Sequence, residues 1–278
     1  MTPLSAPLLE AGYAEVIGDP IAQSKSPAIH RFWLEALGIE GDYRAHRVMR
    51  AELFAYLVDR RADPAWRGCN VTMPLKLDAL LLADSSTDRA TAAGAANLLV
   101  PRDGQLFADN TDVGAVRDLV APLVTAGRAE PITLLGNGGA ARAVLLALRS
   151  LGAGPVTLQA RDIAEAASLS VEFRLENRPR RFDTPIHSMG LINATPLGMA
   201  KVPPTKIDIA GMPPNGWVLD LVSSPLPTPL LAAAAVRGMT TIDGLSILVA
   251  QAAASFELLF GQVPPRHRDA ALFAMLRA

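Results

Sequence analysis

The chain has 278 residues, of which 50% are hydrophobic, 19% charged and 5% aromatic, with a formal net charge of −1. At about 150 residues per domain this is room for two cores; the apolar content excludes a disordered chain, and the near-neutral balance carries no footprint for nucleic acid or an anionic membrane. The single cysteine, Cys69, excludes a disulfide framework or a cysteine-built metal site, and His30, His46, His187 and His267 lack ligand spacing, so no metal is expected.

The start, MTPLSAPLLEAGYAEV, has no basic region and carries Glu10 and Glu15, so it does not read as a signal peptide. No apolar run reaches the length of a membrane span. The expectation is a soluble, cytoplasmic enzyme. Tyr13–Ile17 reads as a first strand. Ser26 as N-cap, Pro27 at the first helical position and Gly38 beyond Leu37 punctuate a helix. A second helix is expected at Arg50–Arg60. Cys69–Thr72 reads as a short strand feeding Met73-Pro-Leu-Lys76, with a helix opened by Pro74 and running to Ala83. Ala95–Pro101 and Gln105–Ala108 read as a strand pair turning at Asp103-Gly104, and a helix follows from Asp112 to Leu119. Cys69 is expected in the core and His30 on a helix surface.

From residue 131 the pattern becomes strand–helix alternation, which implies crossover connections and a parallel sheet. Strands are expected at Pro131–Leu135, Val156–Gln159, Leu191–Asn193, Trp217–Asp220 and Thr240–Ile242. Helices are expected at Arg142–Leu151, Ala164–Leu169 and Pro229–Arg237, and a long, nearly all-apolar one at Leu245–Phe260.

Gly136, Gly138 and Ala141 fit the fingerprint G-x-G-x-x-G/A between a strand and a helix. Glycines there permit a tight turn and close backbone approach, and the helix N-terminus offers N–H groups and positive dipole to a pyrophosphate. The end of the next strand reads Gln159-Ala-Arg161-Asp162. Arg161 suits a 2′-phosphate; Asp162 and Glu165 repel one, and Asp162 suits a ribose hydroxyl instead. A solvated charged loop explains the same residues.

Four lysines stand against 22 arginines. Lys76 lies in the first turn of a helix, where the dipole disfavours a cation, and lysine unlike arginine is readily made to pass a proton. A snorkelling surface lysine is the plain alternative. Ser24 and Ser26 lie in a loop entering a helix and suit a carboxylate, although capping alone accounts for Ser26. Asp112 as an N-cap and Asn97 as a turn residue have equally plain explanations. Gln251 is the odd polar member of the final apolar helix.

Taken together these stretches resemble the shikimate dehydrogenase family, which includes quinate/shikimate and aminoshikimate dehydrogenases. The matching segments are Gly18–Pro27, Asn70–Lys76, Gly94–Asn97, Asp109–Gly114, Gly136–Ala143, Asn193–Met199 and Asp243–Gln251, in order over nearly the whole chain. The resemblance implies an α/β, two-domain fold. A substrate-binding domain (1–111 with 244–278) is joined to a Rossmann-type, doubly wound dinucleotide-binding domain (112–243), with the C-terminal helix returning to the first. It implies reversible NADP-linked reduction of 3-dehydroshikimate to shikimate in aromatic amino acid biosynthesis, in a monomer or homodimer. Lys76 is then the acid/base and Asp112 its partner. Ser24 and Ser26 hold the substrate carboxylate, and Thr72, Asn97 and Gln251 read the rest of the substrate. Gly136, Gly138, Gly139, Ala140, Arg161, Asp162, Thr195, Leu221 and Gly244 meet the cofactor, NADP(H) or alternatively NAD(H).

The chain departs from that pattern in places. Ser223 stands where the family has a tyrosine, Gln23 replaces a histidine, and Leu98 replaces a threonine. Ala160-Arg161-Asp162 replaces Asn-Arg-Thr, and Glu165 stands where a second arginine is usual. These departures describe a divergent paralogue. They leave open an enzyme of quinate or an amino analogue using NAD, and a non-catalytic dinucleotide-binding sensor.

Overall fold

The computed structural model describes residues 12–124, 130–200, 202 and 207–278; of the stretch read at the start of the chain, residues 1–16, the first eleven lie outside them. In chain order the first elements are β1 (Gly12–Gly18), α1 (Ser26–Leu37), β2 (Gly41–Arg47), α2 (Leu53–Arg61), β3 (Trp66–Val71), α3 (Lys76–Leu81), β4 (Ser85–Ser86), α4 (Asp88–Ala93), β5 (Leu98–Arg102) and β6 (Gln105–Asp109). Then follow α5 (Thr111–Val120), β7 (Ile132–Leu135), α6 (Gly139–Ser150), β8 (Val156–Ala160), α7 (Ile163–Glu172), β9 (Arg180–Arg181), β10 (Gly190–Asn193), β11 (Trp217–Asp220), α8 (Pro229–Val236), β12 (Thr240–Ile242), α9 (Gly244–Phe260) and α10 (Asp269–Arg277). The chain forms two compact units, residues 1–111 with 249–278 and residues 112–248, so the second crossing falls inside α9.

The first unit holds a six-stranded mixed sheet in the order β2-β1-β3-β5-β6-β4. β1 pairs in parallel with β2 and β3, whereas β3–β5 and β5–β6 are antiparallel. Asp103 and Gly104 close the β5–β6 hairpin with positive φ at both positions, the two-residue turn whose twist suits the strands. Alternation along the strands sorts the two faces. Glu15, Ile17, Cys69 and Val71 face α2 and α3, where Leu53, Tyr56, Leu57, Leu75 and Ala79 complete an apolar core. Cys69 is free and fully buried there, and burial pushes its thiol pKa up. On the opposite face Tyr43 and Asn70 meet α1 and α9: the His30 ring stacks on Tyr43 at 3.9 Å, and Phe256 packs against His30 and Trp33.

His30 is therefore not on a helix surface. It is fully buried, because α1 turns Ile29, His30, Trp33 and Leu34 inward, and desolvation lowers its pKa to about 3, so it is neutral at physiological pH. Other boundaries also move. α1 begins at Ser26 with Lys25 in the cap position, so Ser26 is inside the helix. α3 begins at Lys76, two residues after Pro74, and ends at Leu81 rather than Ala83. Asp112 lies within the first turn of α5, which opens at Thr111, and α6 opens at Gly139, three residues before Arg142. β2, β4, α4, β9 and α10 are elements beyond those expected from sequence.

The second unit is built on a sheet parallel throughout, in the order β12-β11-β10-β7-β8-β9. Counted from β7, this is the doubly wound order, with its switch point between β7 and β10. Every residue of β7, β10 and β11 is buried, as a sheet covered on both faces requires. α6 contributes Ala141, Val144, Leu145 and Leu148 to the interior, and α8 contributes Leu230, Leu231 and Ala234.

Candidate active site

In the first unit, the residues expected to handle substrate gather at one sheet edge. β1, β3 and β6 end there and β5 begins there, because β5 alone runs antiparallel to its neighbours. Ser24 and Ser26 follow β1, Thr72 and Lys76 follow β3, and Asn97 precedes β5; Asp112 follows β6 as the first residue of the second unit. The Ser24 hydroxyl accepts from the Ser26 amide at 3.3 Å, and with Lys25 in the cap position of α1 and Ser26 inside the helix, capping does not account for Ser26, which is buried. Main-chain bonds lace the edge together: Thr72 N–H donates to the Ile17 carbonyl (2.9 Å), Val71 N–H to the Asn97 carbonyl (2.8 Å), and Asn97 N–H to the Asp109 carbonyl (3.0 Å). The carbonyl of Lys76 accepts from the Ala96 amide at 2.8 Å, fixing the start of α3 against the segment that carries Asn97.

Gln251 enters this unit on α9. Its side-chain oxygen accepts from Asn97 Nδ2 at 3.3 Å, and both residues are buried. Around them lie three buried polar residues that the sequence reading did not single out. Asn70 accepts from the Tyr43 hydroxyl at 2.7 Å and donates to Ser255 Oγ at 2.8 Å; Thr111 donates its backbone N–H to Asn97 Oδ1 at 2.7 Å. Ser255 lies four residues after Gln251, on the same stripe of α9, which is the one signal in the sequence that could have found it. At the end of β6, Asp109 is buried and accepts from Arg89, from the Thr87 hydroxyl and from the Asn110 amide. Burial raises its pKa, but Arg89, Thr87 and the Asn110 N–H outweigh that and hold it below the usual carboxylate value.

In the second unit the glycine loop follows β7 at the switch point. Gly136 has φ +107°, and a Cβ there would come within 3.0 Å of Thr195 Cγ2 and 3.1 Å of the Ala194 carbonyl, so only glycine lets the loops after β7 and β10 approach. Gly244 plays the same part between the ends of β11 and β12, where a Cβ would lie 2.4 Å from the Leu221 carbonyl oxygen. Thr195 is held by Asn193, whose Oδ1 accepts from its amide (3.1 Å) and hydroxyl (2.6 Å); Asn193 in turn donates to the buried Asp220 carboxylate at 2.8 Å. Desolvation raises the pKa of Asp220, against donors from Thr228, Val222 and Asn193.

These residues fit a dinucleotide. Gly138 caps α6 without a side-chain hydrogen bond, no acidic residue lies in the first turn, and a Cβ at Gly138 would meet nothing within 4 Å. The helix N-terminus therefore offers unshielded N–H groups, with Gly139 and Ala140 in its first turn. Beyond β8, Arg161 is exposed, and Asp162 caps α7 by accepting from the Glu165 amide at 3.0 Å. Glu165 itself accepts from Asn137 of the glycine loop at 3.1 Å. Among the described residues there is no metal-binding cluster of His, Cys, Asp or Glu, and no helix is long and apolar enough to cross a membrane.

The comparisons with known proteins point to one family. Residues 16–99 match the family model of the shikimate dehydrogenase substrate binding domain, and residues 244–269 match that of the shikimate 5′-dehydrogenase C-terminal domain. The shikimate dehydrogenase (NADP(+)) of Sphingopyxis alaskensis is 48% identical over 268 residues, 96% of this chain and 97% of that protein. The chain belongs to the shikimate dehydrogenase family. The family's Dinoroseobacter shibae member, also a shikimate dehydrogenase (NADP(+)), is 40% identical over 98% of this chain and 99% of its own. Among solved structures, the shikimate 5-dehydrogenase of Thermus thermophilus, in complex with NADP(H) and shikimate, has a TM-score of 0.82 at 34% identity, covering 95% of this chain and 99% of that one.

Proposed function

We propose that this protein is an NADP-linked shikimate dehydrogenase, interconverting 3-dehydroshikimate and shikimate. The observation that carries the reading is the convergence of Ser24, Ser26, Thr72, Lys76 and Asn97 on one sheet edge of one unit, in a chain whose other unit has a glycine loop at the switch point of a doubly wound sheet. Residues 1–111 with 244–278 bind substrate and residues 112–243 bind the dinucleotide. NADP(H), when bound, supplies or takes the hydride at the substrate's C3.

The chain's own residues do the rest. In the reducing direction negative charge develops on the C3 oxygen, and the Lys76 ammonium stabilises it and delivers the proton. In the oxidising direction Lys76 takes that proton back. Asp112 orients the lysine and binds a neighbouring hydroxyl. Ser24 and Ser26, at the start of α1, hold the substrate carboxylate, where hydroxyl donors and the helix dipole both favour an anion. Thr72, Asn97 and Gln251 read the hydroxyl pattern. Gly136, Gly138, Gly139 and Ala140 would hold the pyrophosphate, Arg161 beside Asp162 would meet a 2′-phosphate, and Thr195, Leu221 and Gly244 would hold the nicotinamide end.

The enzyme acts in the cytoplasm, where a single buried free thiol suits the reducing conditions, and as a monomer or homodimer, which light scattering on the eluting peak resolves. The decisive experiment measures initial rates by nicotinamide absorbance, crossing shikimate and quinate with NADP⁺ and NAD⁺. The expected result is fastest turnover of shikimate with NADP⁺. Preference for quinate or NAD⁺ would replace this reading with the related one in which Ser223 and Asp162 set specificity. Silence in all four, with cofactor still bound, would leave a dinucleotide-binding sensor.

A further inference from the structure

We propose that Arg181, the last residue of β9, is a further specificity-determining residue for the cofactor, a cation that meets the 2′-phosphate of NADP(H) together with Arg161; this rests on the functional reading above. NADP differs from NAD by a phosphate monoester, which carries close to two negative charges at neutral pH. The turn after β8 matches that charge poorly by itself. Residues 161–165 read Arg-Asp-Ile-Ala-Glu, one cation against two anions. Both carboxylates have tasks of their own: Asp162 accepts from the Glu165 amide at 3.0 Å to cap α7, and Glu165 accepts from Asn137 of the glycine loop at 3.1 Å. A matching positive charge has to come from a neighbouring element.

The sheet register brings one there. β7, β8 and β9 run parallel, with Leu135 opposite Gln159, Gln159 opposite Arg180, and Ala160 opposite Arg181. The glycine loop, Arg161 and Arg181 therefore follow one another along the carboxyl ends of three adjacent strands. Strands lie about 4.8 Å apart, so the Arg181 backbone is one spacing from Ala160 and about 10 Å from the glycine loop. A dinucleotide on such a sheet puts its pyrophosphate over the first of these positions and its ribose at the second. The third is on the far side of the ribose from the pyrophosphate, where a 2′-phosphate comes within reach of a long side chain. The backbone of Arg181 is well fixed. Its carbonyl accepts from the Thr184 amide at 3.1 Å, the Thr184 carbonyl accepts from the buried Gln159 side chain at 3.1 Å, and Phe182 packs against the apolar core of the unit. The Arg181 side chain is 72% exposed and has Asp183 at 3.7 Å, itself 79% exposed, a pair weak enough for a phosphate to displace. A guanidinium then offers that phosphate two parallel N–H donors.

The test measures kcat and KM for NADP⁺ and for NAD⁺, at saturating shikimate, in the wild type, Arg181→Gln and Arg178→Gln. Arg178 is exposed and stands three residues before Arg181, about 10 Å back along an extended chain, so its replacement removes the same charge from a different place. The expected result is a fall of about tenfold in the ratio of kcat/KM for NADP⁺ over NAD⁺ in Arg181→Gln, arising in KM for NADP⁺, against about twofold or less in Arg178→Gln. An unchanged ratio in Arg181→Gln, equal losses with the two cofactors (as for a contact with the adenine ring), or the same fall in Arg178→Gln would overturn the inference while leaving the functional reading intact. Wild-type rates that do not favour NADP⁺ over NAD⁺ would overturn the cofactor reading first, and this inference with it.

Discussion

A lysine in the first turn of a helix sits where the dipole repels it. Lys76 keeps that place in α3, with its carbonyl bonded to the segment leading into Asn97. Lys76→Ala should lower kcat by about 10²–10⁴-fold with a much smaller change in shikimate binding, read from steady-state rates and titration calorimetry; turnover near wild type would remove Lys76 from the acid/base role. Asp162 has a structural task as the cap of α7, and threonine caps nearly as well. Asp162→Thr should therefore keep α7 intact while removing an anion next to Arg161. The ratio of kcat/KM for NADP⁺ over NAD⁺ should rise about fivefold, the size of one exposed charge interaction. An unchanged ratio would mean that this loop's charge does not steer the cofactor.

Between elements, the junction of β6 with α5 holds a buried carboxylate paired with an arginine. Asp109 is 3% exposed and fixes α4 through Thr87 and Arg89 and the turn into α5 through the Asn110 amide. Its folded pKa lies below the unfolded value of 3.8. A depressed carboxylate contributes stability above the unfolded pKa and loses it as pH falls through the folded one. Asp109→Asn should thus cost about 1–2 kcal/mol at pH 7 in urea unfolding, less than a fully buried pair because Arg89 is 42% exposed and water takes up its charge. The gap between variant and wild type should close as pH falls below about 4. A gap that persists in acid would assign the cost to packing instead.

At the scale of the whole molecule, the lysine belongs to one unit and the glycine loop to the other. Saturation with NADP⁺ at a hundredfold over Kd should stabilise the protein by about 2.7 kcal/mol and raise the thermal midpoint by about 5 °C, equally in wild type and Lys76→Ala. A shift lost in the variant would show that the two functions are not separable. Much of this organisation was legible along the chain. The β7–glycine–α6 unit, the hairpin turn at Asp103-Gly104, the buried Cys69 and the strand–helix alternation of the second half all rest on short-range chemistry: turn conformations, helix ends and apolar runs. β2 was not legible, because GDYRAHR is a polar strand with one buried residue, Tyr43, and among the described residues it pairs only with β1. His30 read as a surface residue because nothing near it in sequence announces the Tyr43 and Phe256 rings that enclose it. Thr111, Asn70 and Ser255 are plain as isolated letters and become a network only when β3, α5 and α9 meet. Local backbone and solvation preferences act over a few residues and can be read in order. A buried polar group takes its meaning from partners as many as 185 positions away, and only the folded chain brings those partners within hydrogen-bond reach.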